Sequence, residues 1–133
     1  MSNRFTQTFT ARPGDIDVMG HVNNAVWVQW MEAIATAHWE AHALPEQQAK
    51  YAWVVTRHEI DYRGNIREGE SVTAETFIPD GPNGARFDRC VEFRSAGGKA
   101  IVRSRTTWAM IALETGRVMR IPPDVAGRFS AGG

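Results

Sequence analysis

The chain predicts an α+β fold in which one antiparallel sheet of five or six strands wraps around one long central helix. Three observations predict it. Only one stretch, Val22 to about Ala43, combines good helix formers with apolar residues at helical spacing and contains neither glycine nor proline. Four runs rich in β-branched and aromatic residues follow it, separated by short turns, and one such run precedes it. The helix is the only large apolar body available to cover a face of the sheet.

In order, Arg4 to Arg12 carries Phe5, Thr6, Thr8, Phe9 and Thr10 and ends at Pro13-Gly14, which reads as a strand. Val22, Val26, Trp30, Ile34 and Ala37 mark one helix face, and Trp27, Met31, Ala35 and Trp39 widen it, so this helix should be wrapped. Pro45 is expected to end it, with Glu46 to Lys50 a polar connection. Strands are predicted over Ala52–Tyr62, Ser71–Ile78, Arg86–Arg94 and Ile101–Leu113, with turns at Asp80–Gly84 and Ala96–Lys99. Val118 to Ile121 is a short extended piece, Pro122-Pro123-Asp124 opens a helical turn over Val125–Phe129, and Ser130 to Gly133 is expected to fray.

A length of 133 residues predicts one domain over 1–133. Fifteen basic and fifteen acidic residues balance, so no global field recruits nucleic acid or an anionic membrane. The lone Cys90 forms no internal disulfide, and no cysteine pair exists to hold zinc. No run of about 18 apolar residues and no signal-length apolar N-terminus occurs, which makes a soluble cytoplasmic protein the expectation. Five tryptophans in so short a chain point to burial against a partner, hence to oligomerisation.

Chemistry concentrates in Asp15-Ile-Asp17-Val-Met-Gly20-His21-Val22-Asn23-Asn24. Asn23 and Asn24 are good cap types, and the unpaired N–H groups of a helix's first turn attract negative charge. Gly20 permits a turn that returns the Asp17 carboxylate toward that helix end. A donor and a base then face one reacting atom. Asp, Gly and Asn are also ordinary loop and cap residues, and on that reading Asp15 caps the loop and His21 caps the helix.

Asp17, Gly20 and Asn24, with Trp27 and Glu32 further along the helix, resemble the signature of the 4-hydroxybenzoyl-CoA thioesterase family of hotdog-fold proteins. His21-Val22-Asn23-Asn24 is similar to a run of plant-type acyl-ACP thioesterases, and Ile60-Asp61-Tyr62-Arg63 with Gly69-Glu70 is a weaker echo. The resemblance implies a hotdog fold and an acyl-CoA thioesterase acting on a fatty or aromatic acyl group. It implies Asp17 as nucleophile or general base and the Asn24 backbone amide as oxyanion donor. It also implies sites at the interface of a homodimer whose sheets meet edge to edge, with a homotetramer as the higher form.

A thioester needs an oxyanion donor and an activated nucleophile, and no metal or further cofactor enters this expectation, coenzyme A being part of the substrate. His21 is placed as a supporting donor; the asparagine that accompanies this histidine in acyl-ACP thioesterases is replaced by Met19. Gly20, Asn23 and Trp27 are the expected substrate contacts, with Trp30 as core and Glu32 as a structural hydrogen-bonding residue. Arg57, Arg63, Arg67, Arg86, Arg89, Arg94, Arg103 and Arg105 are candidates for the nucleotide phosphates, and Arg63 and Arg67 are chosen. Acyl-ACP hydrolysis and a non-catalytic acyl-CoA sensor are the alternatives.

Overall fold

The computed structural model describes residues 3–129. Six strands form one antiparallel sheet: β1 (Phe5–Thr10), β2 (Tyr51–Tyr62), β3 (Ser71–Phe77), β4 (Arg86–Arg94), β5 (Ala100–Ala112) and the short β6 (Arg117–Val118). The spatial order is β1-β3-β4-β5-β2, with β6 paired to β5, so β1 and β2 are the two edges. β2 slips register between Val55 and Arg57, which leaves Thr56 as a bulge.

Alternation along the strands decides which face is covered. Val72, Ala74 and Thr76 of β3, Arg89, Val91 and Phe93 of β4, and Val102, Ser104 and Thr106 of β5 are all buried, and their neighbours in sequence are more open. The helix α1 (Asn24–His42) presents Val26, Trp27, Met31, Ile34, Ala35 and His38 to that face, at steps of one, three and four residues. It stops because Ala43 is extended (ψ 147°) and Pro45 follows.

The expected fold differs in two places. Pro45 does not merely end α1 but starts a second helix, α2 (Pro45–Lys50), where a polar connection was expected. Proline suits a first helical position, and Gln47 Oε1 reaches back to the Leu44 N–H at 2.8 Å. The predicted final helical turn is α3 (Pro123–Phe129), packed beneath the end of α1. Ser130 to Gly133, expected to fray, lies outside the described residues.

Two apolar clusters result. One, at the start of α1, gathers Val22, Trp27, Met31 and Ile34 with Val72, Val91, Phe93 and Val102. The other, at its far end, gathers Ile78, Met110, Ile121, Val125 and Phe129 with Trp39 and Trp53 packed on it. No helix among the described residues is long and apolar enough to cross a membrane.

Candidate active site

Residues 15–23 fold back on themselves as a miniature antiparallel pair. The Asp17 N–H donates to the His21 carbonyl at 2.8 Å, the Asn23 N–H donates to the Asp15 carbonyl at 2.9 Å, and Ile16 bridges Val22 between them. Alternate residues of such a pair face opposite ways. Ile16 and Val22 turn into the core, and Val22 is fully buried. Asp17 and His21 therefore share the outer face, directly opposite each other, with Cβ atoms about 5 Å apart.

Gly20 closes the turn at φ +79°, a conformation that side chains disfavour, and donates its N–H to the Asp17 carbonyl at 3.0 Å. The Asp17 side chain completes it. Its Oδ1 accepts from the backbone N–H groups of Met19 (2.9 Å) and His21 (3.2 Å). Oδ2 accepts no hydrogen bond among the described residues, so half of the carboxylate is committed to the turn and half is available. The tip beyond it carries Val18, fully exposed, and Met19 at 70 % exposure.

The helix begins at Asn24 rather than at Val22, because Asn23 takes the cap position (φ −61°, ψ 141°) and Val22 belongs to the hairpin. Asn23 Oδ1 accepts from the Ala25 N–H at 2.9 Å, and its carbonyl receives the Val26 and Trp27 N–H groups at 2.9 and 3.4 Å. Those bonds leave the Asn24 N–H as the first-turn donor with no acceptor among the described residues. Asn23, expected to contact substrate, thus spends its carbonyl oxygen on the cap. His21 does not cap the helix, and its ring makes no hydrogen bond among the described residues.

A second loop, from the end of β2 to β3, holds this hairpin in place. Asn65 Oδ1 accepts from the Val22 N–H at 3.0 Å, and Asn65 Nδ2 donates to the Val22 carbonyl at 3.3 Å. The Tyr62 hydroxyl donates to the Asn24 carbonyl at 3.3 Å. A Cβ added to Gly20 would lie 2.9 Å from Arg67 Nη1, which places the Arg67 guanidinium directly over the turn. The Arg67 N–H itself donates to Glu70 Oε1 at 2.7 Å.

The structure therefore brings Asp17, Gly20, His21, Asn23, Asn24 and Arg67 together at one end of α1. Arg63 is turned elsewhere: its Nη2 lies 3.7 Å from Asp61 Oδ2, with both side chains mostly exposed. Trp27 also departs from expectation. It is completely buried between Trp30 and Phe93, at ring-centroid distances of 5.2 and 5.0 Å, and lies in the core instead of on an accessible wall. Glu32 faces β2, with Oε2 3.9 Å from His58 Nε2. Asn65 and Tyr62 are the residues that reasoning on the sequence did not place at the site. Their signal was only an asparagine beside a glycine after a strand.

One oxygen of a carboxylate, one unsatisfied amide at a helix start and one guanidinium are the parts present. An amide of this kind is oriented before any ligand arrives and suits a developing oxyanion. Among the described residues no group of three or more His, Cys, Asp or Glu side chains could hold a metal ion.

The family model described as the thioesterase-like superfamily matches residues 11–129. No curated protein matches the sequence. Among solved structures, a Staphylococcus aureus protein in complex with CoA is similar at a TM-score of 0.85 and 18% identity, over 96% of this chain and 82% of that one. An acyl-ACP thioesterase from Bacteroides thetaiotaomicron is similar at a TM-score of 0.80 and 23% identity, over 90% of this chain and 50% of that one, so the present chain spans about half its length. A 1,4-dihydroxy-2-naphthoyl-CoA thioesterase from Synechocystis is similar at a TM-score of 0.76 and 19% identity, over 90% of each chain. At such identities these likenesses establish the fold, a hotdog.

Proposed function

The chain belongs to the thioesterase-like superfamily, and on that premise we propose that it hydrolyses an acyl-CoA thioester, fatty or aromatic, to the free acid and CoA. The observation that carries this reading is the Asn24 N–H, left without an acceptor at the start of α1 beside a hairpin that displays Asp17. The thioester carbonyl oxygen lies against that N–H. Asp17 Oδ2 either takes a proton from the attacking water or attacks the carbonyl carbon itself.

As the tetrahedral centre forms, negative charge moves onto the oxygen facing Asn24, and one such preorganised donor contributes about 3 kcal/mol to the transition state. Collapse breaks the carbon–sulfur bond and releases CoA thiolate. The proton removed from water returns from Asp17 to the sulfur. His21, opposite Asp17, polarises the carbonyl or orients the carboxylate, and Arg67 over Gly20 meets a phosphate of the CoA. CoA is part of the substrate, and the scheme calls on no other cofactor. An acyl-carrier-protein thioester is the alternative carrier.

The site is assigned to the interface of a homodimer, with a homotetramer as the higher form. Two features support this: β2 is a twelve-residue strand at an open sheet edge, and the apolar hairpin tip at Val18 and Met19 is uncovered. A second reading draws on the bonds from Met19 and His21 to Asp17 Oδ1. If those bonds are the whole role of Asp17, the chain binds acyl-CoA without turning it over.

Thiol release from a panel of acyl-CoAs, comparing wild type with Asp17→Asn and Asp17→Ala, separates the two. Hydrolysis predicts wild-type turnover that falls at least about a hundredfold in both variants while the oligomer persists. Binding without wild-type turnover would establish the sensor instead. A single turnover in isotopically heavy water then distinguishes attack by the carboxylate, which delivers an enzyme oxygen to the product, from attack by water.

A further inference from the structure

At the far end of α1 the structure encloses a cavity of about 340 Å³, walled chiefly by Trp39, Trp53, Phe87, Trp108 and Phe129. This lies within the range of small-molecule pockets. One charged side chain, Arg89, also lines it. None of the residues assigned to the candidate active site does. From Asn24 to Ala35, the first lining residue on the helix, eleven helical steps span about 16 Å, and the packed cluster around Trp27, Ile34 and Phe93 fills the space between.

Arg89 is 4 % exposed and has no carboxylate partner among the described residues. Its parity in β4 explains why. Asp88, on the opposite face of the strand, is taken by Arg105 at 2.7 Å and by the Thr107 hydroxyl at 2.7 Å. On the inner face Arg89 Nη1 donates to His38 Nδ1 at 2.8 Å and to Thr76 Oγ1 at 3.1 Å. His38 supplies no negative charge. Burial, then Arg89 and His42, lower its pKa to about 3, so the ring is neutral, with Nδ1 as acceptor and Nε2–H donating to Asn3 Oδ1 at 3.0 Å.

Two donors of the guanidinium are left over. Nε is enclosed without a hydrogen bond, and Nη2 makes none among the described residues. Nε and Nη2 form the side edge of the guanidinium, the geometry that matches the two oxygens of a carboxylate. Burial lowers the Arg89 pKa to about 10, which still leaves it cationic at neutral pH. An uncompensated buried charge is costly, and an anion entering beside it removes that cost.

We propose that this cavity is a second binding site, for a hydrophobic monocarboxylate whose apolar body lies among the tryptophans and whose carboxylate pairs with the free edge of Arg89. The aromatic walls select an apolar body, and the lone cation selects a single negative charge. Aromatic and aliphatic acids share this chemistry.

Calorimetric titration of the intact protein with naphthoate and decanoate, each against its alcohol, naphthylmethanol and decanol, tests the site and tells the two classes of acid apart. The acid is expected to bind at least about tenfold tighter than its alcohol, as one charge-assisted hydrogen bond requires. Arg89→Gln is expected to erase that preference. If Arg89→Gln fails to fold, the acid-to-alcohol ratio on wild type still decides the charge pairing. Thr36→Trp, which fills the cavity from the exposed side of α1 without touching the Arg89 hydrogen bonds, is expected to abolish binding of both. Equal affinity for acid and alcohol, no binding of either acid, or undiminished binding by Thr36→Trp would each overturn the proposal. Asp17→Ala is expected to leave these titrations unchanged, so their result stands apart from that of the hydrolysis assay.

Discussion

The two ends of α1 solve opposite problems. At its start, hydrogen bonds of the main chain and of one side-chain amide hold polar groups outward: a hairpin, a cap and Asn65 fix Asp17 and the Asn24 N–H at the surface. At its far end, aromatic rings and neutral hydrogen bonds hold a cation inward, with His38 stacked on Phe5 at 5.3 Å and bonded to Arg89. The first arrangement depends little on apolar area and much on loop geometry. The second depends on burial. The difference teaches that one helix can present reactive groups at one terminus and conceal a charge at the other, provided that separate clusters support the two.

That contrast can be broken most forcefully at Trp27, which anchors the first cluster. Trp27→Ala is expected to cost about 3–5 kcal/mol, the usual range for a buried aromatic. Urea unfolding would show it. A loss below about 1 kcal/mol together with a large rise in KM would return Trp27 to the substrate wall.

Acid should damage the far end first. The folded-state pKa of His38 is lowered to about 3 from 6.5, chiefly by burial. Between those values the unfolded chain binds a proton that the folded chain refuses. This contribution to stability is therefore complete above pH 6.5 and shrinks as pH falls toward 3, by up to about 1.4 kcal/mol per pH unit. Measured between pH 7 and 5, where carboxylates hardly titrate, this slope should flatten in His38→Gln. A slope unchanged by that substitution would place the acid sensitivity elsewhere.

At the other end, Asn65→Ala leaves the Val22 N–H to the 3.3 Å bond from Ile66 alone and frees the Val22 carbonyl. A loss of about 1–3 kcal/mol is expected. Thiol release should fall more than the far-end titrations do, because the hairpin loosens while the cavity stays intact. Equal losses in both would mean that the clusters are coupled. Asn23→Ala removes the cap and should cost about 1 kcal/mol by thermal unfolding. An unchanged melting temperature would show that the cap hydrogen bond adds nothing.

How legible this was from sequence depended on range. Strand β4 was read with its observed limits, and β3 and β5 to within a residue at either end, because alternation and turn residues are local signals. Asp17, Gly20 and Asn24 lie within eight positions, so their proximity followed from the chain itself. The partnership of Val22 with Asn65 spans 43 positions, and no pattern in a single sequence announces it. The helix α2 escaped because proline serves equally to stop one helix and to open the next. Arg89 was within reach: it shares its parity with Val91 and Phe93, which put it on the inner face, but arginine is so often solvated that the side chain was grouped with surface phosphate ligands.

Asn65 has a wider consequence. Its carboxamide stands to Val22 as a neighbouring strand's peptide group would, meeting both the hydrogen and the oxygen of one residue. The reactive turn is thereby indexed to the tail of an edge strand rather than to its own flanks. Any shift of that strand, such as one accompanying the docking of a second molecule along it, would be passed mechanically to the carboxylate.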